Sequence, residues 1–183
     1  MDDMGGIQQE KGLVIIYTGE GKGKTTAALG LVLRAVGYKK RCLIVQFGKA
    51  WFTGELVGIK KLGSGVKIIQ GGKGFLNILG SKTSLKDHKR AAKEAFNTIY
   101  QQAVSGKWDI VVADEIIGAV ASKVLSINDT MKLITDKPKS LDLVLTGHHA
   151  PKKLIKIADL VTEMKEIKHP FQKGIMAKRG IDF

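Results

Sequence analysis

The run Gly19-Glu20-Gly21-Lys22-Gly23-Lys24-Thr25-Thr26 constrains this chain more than any other feature, because of what stands on either side of it. Before it, Leu13-Val14-Ile15-Ile16-Tyr17 is a short continuous apolar run, the pattern of a strand buried on both faces. After it, Lys24 to Val36 consists of strong helix formers with Ala28, Leu31, Leu33 and Ala35 on an apolar face, and Gly37 stands at the C′ position. Strand, glycine turn and helix in that order form a phosphate cradle. Residues without a Cβ let backbone N–H groups turn inward around phosphate oxygens. The helix N-terminus adds partial positive charge and Lys24 a full one, while Thr25 can offer its hydroxyl to Mg²⁺. The common Walker A pattern, G-x-x-x-x-G-K-[ST], puts its first glycine at position 18; here that residue is Thr18 and the glycine is shifted to Gly19.

A second acidic element follows the same logic. Asp109-Ile110-Val111-Val112-Ala113-Asp114-Glu115 reads as a strand ending in two carboxylates, like a Walker B site. Adjacent buried carboxylates are costly unless a cation or hydrogen bonds offset them. Asp114 or Glu115 is therefore expected to bind Mg²⁺ (or Mn²⁺), directly or through water. Thr146-Gly147-His148-His149-Ala150 follows a further strand and reaches the same rim. Neighbours in an extended segment point apart, so this reads as loop or polar lining and not as a zinc site.

The remaining pattern predicts strands at about 41–47, 66–70, 141–146 and 160–164, with helices at 85–105, 116–125 and 127–135 and another beginning at Pro151. Residues 48–65 read as a glycine-rich connection with a short helix, 71–84 as irregular, and the tail from Lys168 as lacking a strong period. Strands alternating with helices imply a mainly parallel sheet covered on both faces, a three-layer α/β domain with ligands beyond the carboxyl ends of its strands. At 183 residues a single domain spanning 1–183 is expected, with 1–11 as an arm before the first strand.

Composition narrows the class. No apolar run approaches the roughly 20 residues that span a bilayer. The acidic start Met1-Asp2-Asp3-Met4 lacks an apolar signal region, so a cytoplasmic protein without membrane association is expected. One cysteine, Cys42, rules out an internal disulfide framework, and its neighbours Leu43-Ile44-Val45 predict a buried strand thiol. The net charge of +13 is scattered from Lys11 to Arg179 and aromatics are 6%, which argues against a nucleic-acid partner. A positive field still attracts a polyphosphate.

Taken together, these residues resemble the P-loop corrinoid adenosyltransferases. The likeness runs through Tyr17 to Gly30, Arg34-Ala35-Val36-Gly37, Val45-Gln46-Phe47, Ala113-Asp114-Glu115, Leu145-Thr146-Gly147, Ala158 to Met164, Lys168-His169-Pro170-Phe171 and Gly180-Ile181-Asp182-Phe183. The resemblance implies a RecA-like fold, usually as a homodimer. It also implies transfer of the 5′-deoxyadenosyl group of ATP to the cobalt of a reduced corrinoid with release of triphosphate, in adenosylcobalamin synthesis, and a flavoprotein electron donor. Carried over residue by residue, Gly19, Glu20, Gly21, Lys22, Gly23, Lys24, Thr25 and Thr26 hold the ATP phosphates. Thr25 and Glu115 bind the metal with Asp114 nearby, Lys24, Thr25 and Glu115 form the catalytic set, and Arg34 lies near the nucleotide. Phe75 lines the corrinoid pocket, although the family's Gly-Phe-Thr-Trp reads Gly74-Phe75-Leu76-Asn77 here. The competing expectation is a P-loop ATPase or an ATP-switched binding protein, which needs a water-positioning residue that the sequence does not supply.

Overall fold

Among the described residues, six short segments become strands: β1 (Val14–Thr18), β2 (Cys42–Phe47), β3 (Val66–Gly71), β4 (Ile110–Asp114), β5 (Asp142–Thr146) and β6 (Leu160–Glu163). They pair side by side in the order β3-β2-β4-β5-β1-β6, and every pairing is parallel. The coordinates are a computed structural model that describes residues 11–71 and 84–183. The expected arm at 1–11 therefore falls almost wholly outside the described residues.

Parallel strands need crossovers, and the helices supply them. They are α1 (Lys24–Gly37), α2 (Glu55–Gly58), α3 (Leu85–Ala103), α4 (Ile116–Ala121), α5 (Ile127–Asp136) and α6 (Lys152–Ile157), with 3₁₀ turns at Ile59–Leu62 and Pro170–Lys173. The period-2 alternation of the strands divides the core into two layers. Val14, Ile16, Leu43, Val45, Val111, Ala113, Leu143 and Leu145 face one way and pack with Phe96 and Ile99 of α3, Ile116 and Ile117 of α4, Leu133 of α5 and Leu154 of α6. Ile15, Ile44, Ile110, Val112 and Val144 face the other way, against Ala28, Val32 and Ala35 of α1 and Ile59. The expected three-layer α/β arrangement is present, and burying each large aliphatic side chain in it contributes ~1.5–3 kcal/mol. Cys42 lies in the second layer, fully buried, and burial pushes its thiol up to about 11. No helix among the described residues is long and apolar enough to cross a membrane.

Helix ends follow local chemistry. Ser84 caps α3 by accepting from the Asp87 N–H (3.1 Å), and Ser126 caps α5 by accepting from the Asn128 N–H (3.2 Å). Pro151, the expected first residue of α6, is its N-cap, and the helix itself begins one residue later at Lys152. Two expectations change materially. The acidic strand stops at Asp114, because Glu115 adopts a left-handed conformation (φ 65) and caps α4. The helix expected over 116–125 ends at Ala121, where the Ser122 hydroxyl donates to the Gly118 carbonyl (2.6 Å) and Lys123 turns left-handed (φ 59). Hydroxyl back-bonding of this kind competes with helical propagation.

Candidate nucleotide and metal site

The carboxyl ends of β1, β2, β4 and β5 converge on one rim, and the glycine loop leaves β1 there. Its shape depends on two glycines. Gly19 (φ 99) and Gly23 (φ 110) are left-handed, and a Cβ on Gly19 would fall 2.4 Å from the Met164 carbonyl oxygen. The loop thus lies against the chain leaving β6, and the Gly21 N–H donates to the same carbonyl (2.8 Å). Thr18, at the usual glycine position, ends the strand instead, and its hydroxyl accepts from the Ala150 N–H (3.1 Å). The shifted glycine therefore serves a loop tied to both neighbouring strand exits.

Lys24 opens α1 and is only 6% exposed, its ammonium donating to the Gly19 and Gly21 carbonyls at 2.7 and 2.9 Å. Burial pushes its pKa below the usual lysine range, opposed by the carboxylates of Glu115, Glu20 and Asp114. No side chain caps α1, whose N-cap is Gly23. An uncapped N-terminus beside an ammonium suits an anion. Lys22 pairs with Asp182, and Asp182 also accepts from the Lys178 N–H (2.6 Å), so the last residues lie alongside the loop.

Thr25 links the loop to the acidic strand end: its hydroxyl donates to Asp114 Oδ1 at 2.8 Å. Asp114 is 1% exposed, and the Thr146 hydroxyl donates to the same Oδ1 (2.8 Å) while Gln46 Nε2 donates to Oδ2 (3.1 Å). Glu115 is held differently, its N–H donating to the Thr146 hydroxyl (2.8 Å). Its side chain turns back over α4, so a Cβ on Gly118 would meet Glu115 Oε1 at 2.3 Å. Burial pushes the Glu115 carboxyl above its usual range, the charge of Asp114 adds to this, and His148, Lys24 and Lys49 oppose it. A carboxylate destabilised by burial gains most from an added cation.

Hard divalent cations take oxygen ligands, and the Thr25 hydroxyl with the carboxylates of Asp114 and Glu115 forms such a donor set beside the phosphate loop. Among the described residues, no group of three or more His, Cys, Asp or Glu side chains is arranged to hold a metal ion. The histidine pair departs from the expectation that its members point apart. His149 is left-handed (φ 55), and His148 Nδ1 and His149 Nδ1 lie 3.4 and 3.3 Å from separate carboxylate oxygens of Glu20. The turn brings both rings to the edge of the phosphate loop.

The remaining predicted residues divide as follows. Glu20, Lys22 and Thr26 sit on the loop or first helical turn with exposed side chains. Arg34 does not join them: it is exposed in the last turn of α1, ten residues and so ~15 Å along the helix axis from Lys24. Phe75 and Asn77 lie outside the described residues. Sequence reasoning gave no site role to Gln46, Lys49 or Glu55, and read Thr146 only as the start of a loop or polar lining at the rim. A glutamine within the apolar run Cys42–Phe47 was the available signal, since a fully buried amide needs partners.

A glycine loop at the end of β1, bonded through its threonine to a buried aspartate at the end of β4, defines a P-loop nucleotide-binding α/β protein. Residues 10–183 match the family described as "ATP:corrinoid adenosyltransferase BtuR/CobO/CobP". The chain is 37% identical over 177 residues to a corrinoid adenosyltransferase of Sinorhizobium sp, covering 95% of this chain and 81% of that one. It is 32% identical over 181 residues to corrinoid adenosyltransferase CobA of Salmonella typhimurium, covering 96% and 88% of the two chains. Against the corrinoid adenosyltransferase of Escherichia coli K12, identity is 30% over 177 residues, with 96% and 88% covered. This chain belongs to the ATP:corrinoid adenosyltransferase family.

Proposed function

We infer that the chain transfers the adenosyl group of ATP to the cobalt of a corrinoid. The bond between the Thr25 hydroxyl and Asp114 (2.8 Å) carries the structural side of this reading, because it joins the phosphate loop to the acidic strand end in one polar cluster. In the proposed chemistry the reduced cobalt is the nucleophile and attacks ribose C5′. A cobalt–carbon bond forms, the C5′–O bond breaks, and its electron pair leaves on triphosphate. No proton must be removed from the nucleophile. The protein's task is to hold C5′ in line with the cobalt and to stabilise charge on the departing triphosphate.

In this reading the loop from Gly19 to Thr26 cradles the triphosphate, with the Lys24 ammonium moving from the loop carbonyls to phosphate oxygens. Thr25 and Glu115 are the proposed holders of Mg²⁺, and Asp114 orients Thr25 from behind. The occupied lone pairs of Asp114 and the desolvated carboxyl of Glu115 support that division. The cation, when bound, neutralises charge that accumulates on the triphosphate. Phe75 is proposed to line the corrinoid side and a flavoprotein to supply electrons, both on the family resemblance. The RecA-type classification is supported by β5 lying between β1 and β4. A homodimer is supported by the edge strand β6, all four of whose residues are left exposed by the described residues.

Product identification tests the reading. With cob(I)alamin, ATP and Mg²⁺, phosphorus NMR should show inorganic triphosphate while the cobalt spectrum shows the light-sensitive adenosyl product. ADP and orthophosphate released at the same rate without corrinoid would favour an ATPase instead.

A further inference from the structure

Behind the metal-binding residues lies a second, buried charge arrangement. Gly48, left-handed at φ 70, turns the chain back over the strand ends after β2, and its N–H donates to the Gly71 carbonyl (3.0 Å). That turn directs Lys49 inward. Its side chain is only 14% exposed, and its ammonium lies 3.0 Å from Glu55 Oε1 and 3.6 Å from Asp114 Oδ2. Gln46 Nε2 bridges the same two carboxylates at 3.0 and 3.1 Å. Gln46 is fixed in turn by Gln70, whose Nε2 donates to Gln46 Oε1 and to the Trp51 carbonyl, both at 3.2 Å. The amide therefore cannot rotate away without losing three polar contacts.

An ammonium held this way does more than complete an ion pair. Asp114 has its Oδ1 occupied by Thr25 and Thr146 and its Oδ2 by Gln46 and Lys49. The protein supplies its own positive charge on the side of Asp114 opposite Thr25. We propose that Lys49 is the resident counter-ion of the metal site, clamped between Glu55 and Asp114 so that a divalent cation enters together with the nucleotide phosphates and not before them. A cation approaching the nucleotide-free site meets a fixed positive charge in a low-dielectric rim and an aspartate whose lone pairs are taken. The phosphates reverse that balance by adding negative charge and further oxygen ligands. Lys49 is a positioning residue in this account and touches neither cobalt nor C5′.

The inference rests on the metal placement proposed above, and Mn²⁺ used as a paramagnetic probe separates the two. Nucleotide-free protein is titrated with Mn²⁺ and free ion is counted by electron paramagnetic resonance. Lys49→Met should bind Mn²⁺ about tenfold or more tightly than the parent, because the fixed positive charge beside Asp114 no longer opposes the incoming cation. Lys49→Arg, which keeps the charge, should bind as weakly as the parent. So should Lys67→Met, which removes the same charge from the exposed start of β3, at the opposite end of the strands. Lys49→Gln retains a donor for Glu55 and answers the same question should methionine disturb folding. If Lys49→Met and Lys49→Gln bind Mn²⁺ no more tightly than the parent, the counter-ion role is overturned. In a parallel arm, adding the parent protein to Mn²⁺–ATP should broaden the spectrum of the complex. Failure of that arm removes the metal placement itself, whatever the Lys49 variants do.

Discussion

Replacing Thr146 with valine removes one hydroxyl and almost no volume, yet it strikes the joint between both site carboxylates. The Thr146 hydroxyl is fully buried, donates to Asp114 Oδ1 and accepts the N–H of Glu115, each at 2.8 Å. Valine leaves the Glu115 N–H without that acceptor, at a cost of ~1–3 kcal/mol for an orphaned buried donor. Asp114 loses one donor but keeps Thr25, Gln46 and Lys49, so its share is ~1 kcal/mol. The total, ~2–4 kcal/mol, is a large part of the ~5–15 kcal/mol that holds a typical domain together. Urea unfolding at neutral pH should show a lower midpoint with an unchanged slope, and the melting temperature should fall by ~4–16 °C. Thr146→Ser keeps the hydroxyl and should recover most of the loss. A valine variant within ~0.5 kcal/mol of the parent, the scatter of neutral surface changes, would refute the reasoning, as would serine proving as damaging as valine.

Lys24→Ala removes a charge-assisted contact to phosphate, worth ~1.5–3 kcal/mol, so ATP affinity should weaken ~10–150-fold by calorimetric titration while circular dichroism stays unchanged. An unchanged ATP affinity would remove Lys24 from the cradle. Burial pushes the Glu55 carboxyl up, but hydrogen bonds from Gln46 and Lys49 outweigh it and hold the group at about 2, below its ordinary 4.5. A depressed acid stabilises the fold above the unfolded value and loses that contribution as pH falls from 4.5 toward about 2. Screening at the rim reduces the corresponding ~3 kcal/mol to ~1–2 kcal/mol. The stability gap between the parent and Glu55→Gln should therefore be widest at neutral pH and close below pH 4.5; a gap that stays constant down the scale contradicts the assigned partners.

The phosphate loop and the acidic strand end were legible in the sequence because each is a continuous run whose neighbours declare its setting. Strand burial was legible for the same reason, since the continuous apolar runs within Val14–Thr18 and Ile110–Asp114 are the pattern of strands covered on both faces. What stayed hidden depended on side chains meeting across the sheet. Gln46 and Thr146 come from different strands, Lys49 from a loop and Glu55 from the start of α2, and the order β2-β4-β5 gathers Gln46, Lys49 and Thr146 around Asp114 with Glu55 behind them. Left-handed backbone was hidden too. Glu115 and His149 adopt positive φ without being glycine, and those two residues redirect the acidic pair and the histidine pair from the orientations an extended chain would give them. Arg34 shows how a helix separates residues that a motif groups together, since it lies in the last turn of α1 while Lys24 opens the first.

The strand order also sets a schedule. β1, which launches the phosphate loop, has β5 and β6 as its neighbours, so Val14 waits for Leu143 and Ile15 for Leu160 before either is paired. At ~5–20 residues per second of synthesis, the Val-Ile-Ile-Tyr segment stays unpaired on the ribosome for ~6–26 s. During that interval β2, β3 and β4 can already form a sheet in which the outer edge of β4, the edge that β5 will occupy, is still open. A growing chain therefore carries an exposed apolar strand and an unguarded sheet edge together, both targets for a holding chaperone. The phosphate loop gains its contacts with Met164 only after the segment that follows Glu163 has emerged. For this protein, the final packing of the phosphate loop and the pairing of its exposed strand arrive in the same late step of synthesis.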